Sequence, residues 1–139
     1  MRETAISFAS GKLTLDGVIG LPLELDSTFP MVVVCHSHPL FGGAMDEAVV
    51  SSICQALAQR GIASLRFNFR GAGERSVTKT ALGVEEHHDV KAALAVAKGW
   101  PGIDGRRIGL VGYSFGASVI LAGLSSFKTA KALALISPT

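Results

Sequence analysis

Charge is sparse in this chain of 139 residues. Asp, Glu, Lys and Arg make up 17% of it and leave a formal net charge of +2, against ~25% charged residues in ordinary soluble domains. No block of Lys or Arg stands out, so the sequence gives no footprint for nucleic acid or an anionic membrane. Aromatic residues, at 6%, are too few and too scattered for a base-stacking platform. The two cysteines, Cys35 and Cys54, fall in a predicted strand and a predicted helix. Their spacing fits neither a disulfide framework nor a zinc site, and the expected setting is the reduced cytoplasm. Long hydrophobic runs are missing as well. Segments 31–35 and 132–136 have strand length, far short of the ~18–20 residues of a membrane-spanning helix. Residues 1–10 carry no apolar core of a secretory signal.

What remains is apolar residues, at 48%, and 16 glycines. Disorder is excluded by that apolar content and low net charge. The length fits a single domain, residues 1–139, with room for a real core. Strand-like and helix-like segments alternate along it. Residues 4–8 and 13–21 read as two strands around a turn at Ser10-Gly11, and 22–30 as a loop. The apolar, β-branched run 31–35 suits a strand buried on both faces. Residues 46–59 carry Val49, Val50, Ile53, Ala56 and Leu57 at helical spacing, with Gly61 as the stop.

Residues 63–69 form the next predicted strand and run into Arg70-Gly71-Ala72-Gly73. A helix over 84–98, ended by Gly99-Trp100-Pro101, precedes a strand at 107–111, a helix at 115–124 and a last strand at 132–136. This alternation predicts an α/β three-layer sandwich: a mostly parallel sheet of about six strands, the first pair antiparallel, flanked by helices and ending after the sixth strand. Chemistry in such sheets gathers at the carboxyl ends of the strands, here residues 36–43, 70–76, 112–116 and 137–139.

Gly112-Tyr113-Ser114-Phe115-Gly116 has the G-x-S-x-G spacing, and it lies between a predicted strand and a predicted helix. A sharp turn there pushes the serine hydroxyl out at the sheet edge, and the flanking glycines let backbones approach without a Cβ between them. The competing reading is a structural turn with a buried serine. The loop His36-Ser37-His38-Pro39-Leu40-Phe41-Gly42-Gly43 follows the central strand and can aim backbone N–H groups at a developing oxyanion. His36 and His38 also stand two apart, as H-x-H metal ligands do, but the loop offers no further ligand for a metal. Arg70-Gly71-Ala72-Gly73-Glu74-Arg75-Ser76 imperfectly imitates a dinucleotide loop, with Ser76 in place of the third glycine. A tight turn, with Arg70 buttressing neighbouring loops, fits it better. Residues 85–89 (Glu85-Glu86-His87-His88-Asp89) place acids in the first turns of a helix, where the macrodipole favours them, and read as a solvated face.

Together the loop at 36–43, the segment Arg66-Phe67-Asn68-Phe69-Arg70-Gly71-Ala72-Gly73 and the stretch from Asp104 to Gly116 resemble the α/β-hydrolase superfamily. The resemblance is to its small bacterial serine hydrolases, whose oxyanion loop reads His-Xaa-His-Pro-Leu-Xaa-Gly-Gly, and it runs from about residue 13 to the end of the chain. It implies Ser114 as nucleophile, with the amides of Phe115 and His38 as oxyanion donors. His36, Leu40, Phe41 and Tyr113 are expected at the substrate. The resemblance also implies no cofactor, and a small ester, lactone, thioester or amide as substrate; a metal-dependent hydrolase using His36 and His38 is a further alternative.

The superfamily's acid usually follows the seventh strand and its histidine the eighth. Here no histidine follows Ser114, so the chain reads as the N-terminal, incomplete portion of such a domain, with weak or no turnover of its own. A contact from His36 or His38 to Ser114 is one conceivable rescue. The alternative to an enzyme is a non-catalytic binding or interaction module on the same fold. The apolar last strand predicts pairing, as a homodimer or with a missing C-terminal half.

Overall fold

The computed structural model describes residues 1–24, 27–73 and 85–138. In chain order these form β1 (Arg2–Ser10), β2 (Leu13–Leu21), β3 (Phe29–Cys35), α1 (Ala48–Gln59), β4 (Ala63–Phe67), α2 (Glu86–Gly99), β5 (Ile103–Tyr113), α3 (Phe115–Ala122) and β6 (Ala130–Ile136). Short 3-10 turns lie at Pro39–Phe41 and Leu124–Ser126. The strands make one six-stranded sheet in the order β1-β2-β4-β3-β5-β6. β1 and β2 form an antiparallel hairpin, and β2 is also antiparallel to β4. From β4 through β3 and β5 to β6 all pairings are parallel. The expected α/β sheet is present, and antiparallel pairing extends beyond the expected hairpin to the β2–β4 contact.

The two-residue period of a strand assigns the faces. Met31, Val33 and Cys35 of β3 pack in one cluster with Val90, Ala93, Leu94 and Ala97 of α2 and with Val119 and Ile120 of α3. Val34 points the other way, to Val50 and Cys54 of α1, with Val32, Ile53 and Leu57 packed alongside. Helices therefore cover both faces, which is why β3 reads as a continuous apolar run.

Several boundaries move for identifiable reasons. β5 begins at Ile103 rather than 107: Phe29 pairs with Ile103, and its N–H donates to Gly102 O at 2.9 Å, so extended backbone continues through a polar stretch. β4 ends at Phe67: Asn68 N–H still reaches Asp16 O of β2 (2.9 Å), but the Phe69 amide turns from the sheet to the His36 ring (3.0 Å). The predicted start of α2 at 84 and the Glu74-to-Ser76 stretch of the glycine-rich loop lie outside the described residues.

The solvated face expected at 85–89 is a correction, because Glu86 and Asp89 are fully buried. They share the three-and-four spacing of Val90, Ala93, Leu94 and Ala97, so the stripe that faces the sheet carries them inside. Asp89 accepts hydrogen bonds from Ser10 Oγ (2.7 Å), Arg70 N (2.9 Å) and Arg70 Nη2 (2.8 Å). Arg70 does brace neighbouring segments, tying the loop after β4 to α2 and to the end of β1. Its side chain is only 11% exposed, and its bonds to Asp89 hold the guanidinium pKa above its usual value.

Removing one partner of a buried ion pair strands the other, at a cost of about 3–5 kcal/mol. Asp89→Ala is therefore expected to lower unfolding stability by about that much in urea titration. An unchanged midpoint would show that the pair carries no such weight.

Candidate active site

β3, β4, β5 and β6 point their carboxyl ends to one edge of the sheet, and the candidate residues collect there. Ser114 stands between the end of β5 and the start of α3 with φ 54° and ψ −110°. It and Ser137 are the non-glycine residues with positive φ among those described. Such backbone is strained for a residue with a Cβ, by about 1–3 kcal/mol. The surroundings leave it no alternative. A Cβ on Gly112 would come within 2.6 Å of Ala117 N, and one on Gly116 within 2.5 Å of Cys35 O and 2.7 Å of His36 O. The first glycine lets α3 fold back over β5, and the second lets α3 lie against the end of β3. Ser114 N–H is fixed by Ile136 O at 2.8 Å, and its carbonyl accepts from Ser118 N–H at 3.1 Å. The residue is half-buried, and among the described residues its hydroxyl has no hydrogen-bond partner.

The loop after β3 faces this turn. Ser37 N–H donates to Glu47 Oε1 (3.0 Å), and Ser37 Oγ donates to Glu47 Oε2 (2.6 Å). Leu40 N–H donates to His38 Nδ1 at 3.1 Å, while Phe41 and Gly43 N–H donate to His38 O at 3.0 and 2.9 Å. The amide of His38 itself has no acceptor among the described residues. Phe115 opens α3, where first-turn amides have no partner within the helix. The His38 ring lies 4.8 Å from the rings of both Phe41 and Phe115, so the loop and the turn are packed together.

The two histidines differ in role. His38 is half-buried at the loop, whereas His36 is fully buried and both of its nitrogens are engaged. Nε2 accepts from Phe69 N–H at 3.0 Å, which leaves the ring proton on Nδ1 to donate to Ser37 O at 2.6 Å. Burial pushes its pKa below the ordinary value of 6.5. His36, expected at the substrate, lies fully buried as a strut joining the loops after β3 and β4. Neither ring bonds the Ser114 hydroxyl, and among the described residues no three His, Cys, Asp or Glu side chains gather as a metal site. Leu40 and Phe41 are 74% and 86% exposed on the rim, and Tyr113 is half-buried beside Ser114. Glu47 was not singled out from the sequence. One signal was available, an acid just ahead of an apolar helix, although that ordinarily denotes a helix cap.

No family model matches the chain. An uncharacterized protein of Rickettsia prowazekii, RP471, is 38% identical over 93 residues, covering 66% of this chain and 38% of that protein. An α/β serine hydrolase without a lid from Xanthomonas campestris superposes with a TM-score of 0.83 at 30% identity, over 99% of this chain and 62% of that one. An α-β serine hydrolase homologue from Coxiella burnetii gives 0.74 at 33% identity, over 96% and 61%. The chain thus spans under two thirds of the length of these solved relatives. The fold is that of the α/β serine hydrolases. By this structural likeness the chain is related to the α/β-hydrolase superfamily.

The strut gives a pH signature. The unfolded chain takes up a proton at His36 near its ordinary pKa of 6.5, while the folded chain resists protonation until lower pH. The strut's contribution is present above that value and is lost as pH falls through the folded pKa. Urea midpoints measured below about pH 6.5 should fall more steeply for the native chain than for His36→Gln. Parallel slopes would refute the assignment.

Proposed function

We propose that this chain carries the nucleophile and oxyanion site of a serine hydrolase acting on small esters, lactones, thioesters or amides. The observation that carries this is Ser114, held at φ 54° opposite the loop after β3, with a hydroxyl that has no partner among the described residues. In the proposed reaction Ser114 Oγ attacks the substrate carbonyl and gives up its proton to a base. The carbonyl oxygen becomes an oxyanion that accepts hydrogen bonds from the Phe115 and His38 amides. The leaving group departs with a proton, and water then releases the acid from the acyl-serine. Leu40, Phe41 and Tyr113 would supply an apolar rim to the substrate.

A serine hydroxyl needs a positioned base to be a good nucleophile at neutral pH. His36 cannot serve, because its acceptor nitrogen is spent on Phe69 N–H. Oxyanion stabilisation and binding without a complete triad still leave ~10³–10⁴-fold acceleration over water. The 139 residues alone are therefore expected to turn over slowly. Labelling of Ser114 by an alkyl fluorophosphonate, followed by intact-protein mass spectrometry, tests the reading. A single slow adduct that disappears in Ser114→Ala is expected. No adduct at any pH from 6 to 10, with small-ester binding that survives Ser114→Ala, would favour the binding module instead.

We also propose that this chain self-associates through β6. Among the described residues that strand pairs with β5 alone, and it exposes Leu133 and Ile136 at 44% and 38%, which makes it a template for further pairing. Light scattering should give a dimer that Leu133→Lys converts to monomer. A monodisperse monomer of the unaltered chain would defeat this.

A further inference from the structure

We infer that Glu47 is a positioning residue of the site: its carboxylate holds Ser37 so that the His38 amide, and no other in the loop, is presented toward Ser114. The inference rests on the acyl-serine reading and assigns a residue to it that touches neither substrate nor nucleophile.

Glu47 is the N-cap residue of α1, with φ −64° and ψ 155°, yet its side chain makes no capping bond to its own helix. An acceptor at that position ordinarily satisfies first-turn amides, and the macrodipole favours an acid there. Here both carboxylate oxygens go to one residue, Oε1 accepting from Ser37 N–H at 3.0 Å and Oε2 from Ser37 Oγ at 2.6 Å. Bonds to an ionised acceptor are shorter and about twice as strong as neutral ones. The Ser37 carbonyl is held as well, by His36 Nδ1–H at 2.6 Å. Residue 37 is thus fixed at its amide, its hydroxyl and its carbonyl.

Peptide geometry does the rest. In a planar trans peptide the carbonyl of one residue and the N–H of the next point in opposite directions. Because Ser37 C=O is turned to the buried His36 ring, His38 N–H is turned away from it. The Ser37 amide is meanwhile consumed by Glu47. The Leu40, Phe41, Gly42 and Gly43 amides are consumed within the turn by His38 Nδ1, His38 O, Pro39 O and His38 O respectively, and Pro39 has none. His38 is the residue whose amide this network leaves over. Without the Glu47 carboxylate the Ser37 amide and hydroxyl lose their holds, and the peptide that carries His38 N–H is steadied on the Ser37 side by its carbonyl bond alone.

Three variants of the full chain separate this role from a structural one: Glu47→Ala, Glu47→Gln and Ser37→Ala. The readouts are amide hydrogen exchange at Ser37 by NMR, the second-order rate of fluorophosphonate labelling at Ser114, and thermal melting to fix the folded fraction. Loss of one oxyanion donor costs ~10²–10³-fold in rate, so loosening it should slow labelling by about tenfold or more in Glu47→Ala. Ser37 amide protection should be lost with it, in samples that melting shows to be folded. Glu47→Gln retains a carbonyl acceptor and Ser37→Ala retains the amide, so both should fall between Glu47→Ala and the native chain.

Native-rate labelling in Glu47→Ala, or slowing that only tracks the folded fraction, overturns the inference and leaves the nucleophile standing. Unchanged Ser37 exchange in Glu47→Ala overturns it too. If the native chain takes no label, the acyl-serine reading fails and this one fails with it.

Discussion

A side chain with a Cβ resists positive φ, and Ser114 adopts it because two backbones press on the turn from either side. The N-terminal turn of α3 passes so close over Gly112, and the end of β3 so close to Gly116, that neither position has room for a methyl group. Ser114 N–H is meanwhile claimed by Ile136 O. With both flanks and the amide fixed, the chain reverses within one residue and leaves Ser114 half-buried at the sheet edge. The same contact sets the site's second dimension. Gly116 abuts the carbonyls of Cys35 and His36, the residues from which the opposing loop springs, so the separation of Ser114 and loop is fixed by backbone packing rather than by any side chain.

Two polar networks carry that constraint outward. His36 receives the Phe69 amide and donates to Ser37 O, coupling the loop after β3 to the loop after β4. Arg70, one residue beyond Phe69, is gripped by Asp89 of α2, which also takes the Ser10 hydroxyl. An interior that excludes water strengthens such bonds and makes an incomplete network costly. No buried side-chain nitrogen or oxygen among the described residues lacks a partner, so these networks order the sheet edge without leaving a buried group unpaired. The hairpin β1-β2 is remote from Ser114 in sequence, yet it bears on the site through Ser10.

The strands and helices were legible because their apolar residues repeat with periods of two and about 3.6, and the serine turn was legible because its glycines are sterically required. Polar partners were not. Asp89 looked solvated because acids at a helix start usually are, and the partner that draws it inside, Arg70, is 19 positions away in sequence. Glu47 was invisible for the same reason: an acid before a helix means a cap in most chains, and its diversion to Ser37 depends on where β3 places residue 37. The start of β5 was missed because Asp104 and its two arginine partners, at 3.1 and 3.0 Å, mask an extended segment that carries no apolar alternation. Periodicity reports which side faces the core. It does not report which polar group a distant loop brings to meet another.

The loop histidines show why proximity to a serine hydroxyl does not make a base. General-base catalysis requires a lone pair aimed at the hydroxyl and free to accept its proton. A neutral imidazole has one such lone pair, and His36 has spent it on the Phe69 amide. Protonating that ring would break the bond and place a cation where burial disfavours one. His38 likewise turns its Nδ1 lone pair to Leu40 N–H, so in its neutral form the remaining nitrogen, Nε2, is a donor. Both rings therefore behave at this edge as fixed dipoles that order amides, and the nearby Glu47 charge is turned onto Ser37 rather than toward Ser114. The resulting environment suits an oxygen that gains negative charge. It is poorly suited to removing a proton. Charge stabilisation and proton removal are thus separable tasks in the proposed reaction, and the arrangement of residues 36–47 and 112–116 supports the first.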